Sequence, residues 1–240
     1  MKDHTVIQEL VRELHALGSA ERAVGAARFF KTGKGEYGEG DVFIGVSVPD
    51  QRKVARKYAK LLTLREVAEM LDAEIHEIRL TGLLILVSQY EQADTEDVKK
   101  EVVETYLDNL HGVNNWDLVD SSAHKILGPW LADKNRKLLY ELAGSGNLWH
   151  QRIAVITTFH FINQRQYDDV MKLAVLLMDH PHDLIHKAVG WMLREVGKRD
   201  YQAEFDFLKA YYNDMPRTML RYAIERFDEE TRQRFLKGEI

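Results

Sequence analysis

The sequence predicts an all-α chain built from repeated helix pairs, and three observations carry that prediction. Apolar residues recur at spacings of three and four: Val6, Leu10, Val11 and Leu14 trace one stripe, Val98, Val102, Val103, Tyr106 and Leu107 another. Period-two strand patterns are almost absent, and only 4 of the 240 residues are proline. A basic residue followed by small and large apolar positions also recurs, at Arg79-Leu-Thr-Gly82, Arg152-Ile-Ala154, Lys187-Ala188 and Arg221-Tyr-Ala223.

The spacing of those signatures sets the expected architecture. Arg152 to Lys187 is 35 positions, Lys187 to Arg221 is 34, and Arg79 to Arg152 is 73, close to two such periods. A unit of that length is a helix pair stacking on its neighbours, the logic of a HEAT-like solenoid or α-α superhelix. A compact irregular helical bundle is the alternative. One repeat domain over residues 1–240 is expected, with roughly 12–14 helices of ordinary length. Helix starts are marked by Pro49-Asp50, by Asp94-Thr95-Glu96-Asp97 and by Met215-Pro216.

One segment breaks the helical pattern. Residues 31–49 hold five of the 15 glycines, at 33, 35, 38, 40 and 45. Gly33-Lys34-Gly35-Glu36-Tyr37-Gly38 satisfies GxGxxG, but a dinucleotide site needs a strand before it and a helix opening at it. Arg28-Phe29-Phe30 reads instead as a helix end. The expectation is an inter-helix loop, mobile or ordered, whose Lys31 and Lys34 are available to phosphate.

Composition bounds the function. At 45% hydrophobic and 10% aromatic the chain is too apolar to stay unfolded. The absence of cysteine excludes a disulfide framework, a cysteine zinc finger and a cysteine nucleophile. Met1-Lys2-Asp3-His4 lacks the basic and apolar regions of a secretory signal, and the longest apolar run, Leu83–Val87, is far short of a membrane span. A soluble cytoplasmic protein is expected. The net charge of −5 conceals an asymmetry: residues 66–110 hold 12 acids and 3 bases, the remainder 26 acids and 30 bases. Nucleic acid is therefore not excluded as a partner.

Three clusters offer chemistry. In Asn114-Asn115-Trp116-Asp117-Leu118-Val119-Asp120, a cap at either asparagine places Trp116 and Asp120 one turn apart on a single helix face. An indole beside a carboxylate suits a cationic guest; a core tryptophan with a salt-bridged aspartate is the plainer reading. Asp117 points elsewhere and favours the positive helix start. In Asn147-Leu148-Trp149-His150-Gln151-Arg152, Trp149 and Arg152 lie at i and i+3, and Arg152 is suited either to Asp120 or a phosphate, or to an inter-repeat bridge. In Lys187–Glu195, Lys187 and Trp191 are one turn apart with Arg194 a further turn on. Gly190 there leaves room for a ligand at the ring or for close helix packing. His180, His182 and His186 raise the question of a metal, but Pro181 interrupts them and no HExxH is present. No metal or cofactor is expected.

Together these motifs resemble the AlkD-type DNA alkylation repair glycosylases, a HEAT-like-repeat family. The likeness rests on Asn115–Asp120, on Asn147-Leu148-Trp149 with Arg152, and on Lys187–Glu195. It extends to Phe43-Ile44-Gly45-Val46 with Pro49 and Arg52, and to Arg217–Glu225. It implies a concave DNA-binding groove and a catalytic carboxylate at Asp120. Arg152 becomes its partner, and Trp116 and Trp191 flank the damaged nucleotide. Lys31, Lys34, Trp149, Lys187 and Arg194 become DNA contacts. It further implies a monomeric, monofunctional enzyme that hydrolyses the N-glycosidic bond of cationic N3- or N7-alkylpurines in duplex DNA, without enclosing a flipped base. Two departures stand out: Phe29 where some members place a tyrosine, and His160 at a basic DNA-contact position. The competing reading is a non-catalytic HEAT-like scaffold that binds DNA or protein.

Overall fold

The computed structural model describes residues 6–240; the sequence start read above at Met1–His4 lies outside them. Among the described residues the chain forms fourteen α-helices, two short 3-10 turns and one isolated parallel bridge, Val42 with Ile75. The first seven helices are α1 (Val6–Leu17), α2 (Ala20–Phe29), α3 (Val48–Tyr58), α4 (Leu64–Leu71), α5 (His76–Gln92), α6 (Glu96–Asp108) and α7 (Trp116–Trp130). The others are α8 (Lys137–Ala143), α9 (Leu148–Asn163), α10 (Asp168–Leu176), α11 (Asp183–Gly197), α12 (Tyr201–Tyr211), α13 (Arg217–Ala223) and α14 (Glu229–Lys237). Among the described residues no helix is long and apolar enough to cross a membrane.

Local chemistry sets the boundaries. Pro49 falls in the first turn of α3, Thr95 caps α6 and Pro216 immediately precedes α13, as the sequence signals predict, and Ser47 supplies the cap of α3. Thr63 and Glu66 close a reciprocal capping box at α4. His182 Nδ1 accepts from the Leu184 amide and caps α11.

The chain divides into two compact units, residues 1–122 and 123–240. In the first, α5 is the central element. Its Ile78, Leu80, Leu83, Ile85, Leu86 and Val87 are buried, and α3, α4 and α6 pack around it. Residues 82–87 of this helix are apolar all round because that stretch has little solvent face to keep polar. In the second, α9, α11 and α13 pack side by side as one layer, while α8, α10 and α12 flank them. This alternation is the helical-repeat plan that the 34–35-residue spacing predicts.

Gly190 shows how closely that layer is packed. A Cβ there would lie 2.4 Å from the Met219 carbonyl oxygen and 2.6 Å from Tyr222 Cβ. Of the two uses open to Gly190, the structure takes helix packing. The repeat signatures serve different ends: Arg79 and Arg152 are buried, whereas Lys187 is half-buried and Arg221 exposed.

Glu204 on α12 is an electrostatic liability in the second unit. It is 1% exposed, its Oε1 has no hydrogen-bond partner, and its carboxyl fills the space over Gly197. Burial pushes this carboxyl up from 4.5 to about 8, with Glu195 adding to the rise and Arg194 opposing it. The native state therefore holds a proton that the unfolded chain releases. The stabilisation is complete below pH 4.5 and is lost as pH rises through about 8. Glu204→Gln is expected to leave thermal stability near pH 4.5 almost unchanged and to raise it by about 1–3 kcal/mol above about pH 8.5. Calorimetry of both proteins across that range checks it; a variant curve parallel to wild type would mean that Glu204 ionises freely.

Candidate functional site

The first unit carries the start of α7. The Val119 amide bonds the Asn115 carbonyl at 3.1 Å, so Asn115 is the cap that the sequence leaves open between two asparagines. Its side-chain oxygen accepts from the Trp116 amide at 2.9 Å. Trp116 and Asp120 then stand one turn apart on α7, both half-buried. One face of the indole is backed by Phe30, at 5.1 Å between ring centroids and 18° between planes. Phe29 meets it edge-on at 5.8 Å while remaining 66% exposed. Asp120 lies close enough to the buried Tyr106 hydroxyl to add to the rise that burial imposes on that phenol.

Beneath this surface is a buried ion network that the sequence did not reveal. His76, the first residue of α5, is 1% exposed and has both ring nitrogens engaged: Nδ1 with Asp41 Oδ2 at 3.1 Å and Nε2 with Asp117 Oδ2 at 2.8 Å. Arg79 pairs with the other Asp41 oxygen and also donates to Asn114 Oδ1 at 3.1 Å. Asn115 Nδ2 donates to Asp41 at 2.9 Å. Burial alone would lower His76, but the bonds from Asp117 and Asp41 and their charges lift it to about 9. Asp117, read in the sequence as a helix-start charge, is a member of this network.

The network also ties down the later part of the glycine-rich segment. Asp41 anchors the segment to α5 and α7, and the Val42 carbonyl accepts from the His76 amide at 2.8 Å. The buried Glu77 carboxylate takes the backbone amides of Ile44, Gly45 and Val46, the Gly45 contact at 2.7 Å. Gly45 sits at φ +77°, a conformation that disfavours any larger residue. The physical reason is that the three successive backbone amides turn inward and need an acceptor. Lys31 and Lys34, in the earlier part of the segment, are exposed as expected, and Lys31 directly follows Phe30.

The second unit holds the other predicted residues. Arg152 is 5% exposed and donates to the Leu184 carbonyl at 2.6 Å, which ties α9 to the first turn of α11. Trp149, half-buried, lies in the first turn of α9, whose amides are capped by Asn147. Along one face of α11 run Lys187, Trp191 and Arg194. Lys187 pairs with Asp183 at 2.7 Å, and Trp191 Nε1 donates to Glu195 at 3.1 Å. Burial favours protonation of Glu195, but bonds from Lys198, Arg199 and Trp191 hold it below its usual range. Arg194 is paired with Glu225 and largely buried, so a phosphate would have to compete with that carboxylate. His160 is lowered by burial and by Arg136, which disfavours its charged form.

The histidine group has structural roles. His180 donates to Gln151, His182 caps α11 and His186 donates to the His180 carbonyl at 2.5 Å. No group of three or more potential ligands among the described residues is arranged to hold a metal ion.

Residues 10–227 match the model of a family described as DNA alkylation repair enzyme. Among solved structures, a protein described as a predicted DNA alkylation repair enzyme from Enterococcus faecalis is similar in fold, with a TM-score of 0.68 and 18% sequence identity. The match covers 88% of this chain and 97% of that one. No curated protein matches the sequence.

Glu77→Ala is expected to cost about 3 kcal/mol in denaturant unfolding, because it strands buried backbone donors. The amides of Ile44, Gly45 and Val46 would then exchange hydrogen faster than those of α5. Unchanged stability and unchanged exchange would show that the segment does not depend on this carboxylate.

Proposed function

The chain belongs to the DNA alkylation repair enzyme family, and from that premise we propose that it is a monofunctional DNA glycosylase. Its substrates in this reading are cationic N3- and N7-alkylpurines in duplex DNA, released without enclosure of the base. The observation that carries the reading is the pairing on α7 of a half-buried carboxylate, Asp120, with an indole whose back face is already filled by Phe30.

The chemistry asks for little else. An alkylpurine of this kind already bears positive charge, so it departs as a neutral base and needs no general acid. As the C1′–N bond breaks, both of its electrons leave with the base and positive charge grows on the sugar. Asp120 stabilises that charge, and the indoles of Trp116 and Trp191 supply cation–π attraction. Water then adds at C1′ and gives up one proton, so the products are the free base, an abasic sugar and a proton. Asp120 orients that water, as one carboxylate does in glycoside hydrolysis. No metal or cofactor enters the scheme.

Arg152 orients the carboxylate in this reading, with its own position fixed by the Leu184 carbonyl. Lys31, Lys34, Lys187 and Arg194 serve DNA phosphates and Trp149 adds a stacking surface. The protein acts as a monomer in the cytoplasm, on the nucleoid when bound to DNA.

Base release from duplex DNA carrying N7-methylguanine tests the assignment. Asp120→Asn is expected to slow release by at least about 10²-fold, the usual worth of one preorganised electrostatic group. Duplex binding should be unchanged or tighter, because a phosphate-repelling charge is gone. No release by wild type, with DNA still bound, would make the chain a scaffold. Separately, Lys31→Ala and Lys34→Ala should each weaken binding across all sequences and reduce the salt slope by about 1. A slope equal to wild type in both would remove these lysines from the interface.

A further inference from the structure

His76 has no part in the chemistry above, yet it contacts both Phe30, which backs the Trp116 indole, and Asp117, which follows Trp116 in the chain. A neutral imidazole carries one N–H, so two carboxylate oxygens facing both nitrogens require the doubly protonated ring. The neighbours of Trp116 on either side belong to the same network: Asn115 donates to Asp41 at 2.9 Å, and Asp117 accepts from His76 at 2.8 Å. The ring faces continue the connection. Phe43 stacks on His76 at 4.6 Å, Phe30 lies against it at 5.0 Å, and Phe30 in turn stacks on the indole at 5.1 Å. A buried cation thus reaches Trp116 by two routes, one through the cap of α7 and one through a phenyl ring.

We propose that His76 is a positioning residue for the proposed glycosylase: clamped between Asp41 and Asp117, it fixes the plane of the Trp116 indole and, through the first turn of α7, the register of Asp120. The inference rests on the glycosylase reading for its catalytic consequence, while the coupling of His76 to Trp116 stands on the geometry alone. Proximity effects are steep, and a displacement of about 1 Å can cost up to 10²-fold in rate.

The proton that holds the clamp leaves within reach of experiment. The charged groups around His76 are Asp41 from the glycine-rich segment, Asp117 from α7, and Arg79 of its own helix, which reaches it through Asp41. Glu77 is turned toward the backbone amides of residues 44–46, and Arg22 from α2 toward the Gly45 carbonyl. Burial works against the charged ring, and the two aspartates outweigh it, so deprotonation is centred at about 9. Above that, one carboxylate faces a lone pair and the clamp opens.

The experiment uses the full chain as wild type, His76→Gln and Phe30→Leu, with two readouts. The first is the ¹H–¹⁵N resonance of the Trp116 indole, followed across roughly pH 7 to 10. It is expected to titrate with a midpoint near 9 in wild type and to stay flat in His76→Gln. The second is single-turnover release of N7-methylguanine, expected to fall on the order of tenfold in His76→Gln, with duplex affinity within about twofold of wild type. Phe30→Leu, which keeps the ion clamp but removes the stacked ring, should slow release and shrink the indole response. A folded His76→Gln with wild-type rate overturns the proposal. So does a wild-type indole that ignores pH, which decides the matter even where the histidine variant fails to fold. If wild type releases no base, the glycosylase reading fails, and the indole titration still decides whether His76 positions Trp116.

Discussion

The ion pairing of His76 with Asp41 and Asp117 is the constraint from which the first unit is organised. It joins three stretches of chain that are otherwise separate: the glycine-rich segment at Asp41, the start of α5 at His76, and the start of α7 at Asp117. Two carboxylates and two cations, His76 and Arg79, balance within one buried cluster. Burying charge is tolerable when each group finds its partners. Here the partners arrive from different elements, so the cluster ties those elements together and fixes their register. Trp116, between two members of the network, inherits its position from it.

The second unit solves a different problem. Its inner helices α9 and α11 bury most of their residues, and apolar packing does most of the organising. Charges appear where a repeat must be joined to the next: Arg152 reaches the Leu184 carbonyl, and Arg194 pairs with Glu225. Glu204 is the exception, a carboxyl whose burial favours the protonated form and whose Oε1 has no hydrogen-bond partner. The two units therefore give their candidate residues different kinds of support: a polar frame under Trp116, and a packed helix layer under Trp191.

Much of this was legible from residue order. The helices followed from 3.6-residue periodicity, three of their starts from Pro and Thr-Glu-Asp signals, and the Trp116–Asp120 juxtaposition from i,i+4 spacing alone. These are local consequences of backbone geometry. The binding of the glycine-rich segment was not legible, since five glycines in 19 residues read as flexibility. What holds the segment down is Glu77, whose carboxylate is 32 positions away from Gly45 in the chain.

The sequence by itself determined the all-α class, the repeat spacing, the family resemblance and the face shared by an indole and a carboxylate. Only the tertiary structure decided that Asp41, His76 and Asp117 meet, that Gly190 serves packing, and that Arg194 is already paired. The reason is physical. Periodicity and capping act over a few residues and leave a trace in order, whereas a buried histidine acquires its charge from carboxylates 35 and 41 positions away. No local pattern records which distant side chains the packing of helices will bring to it.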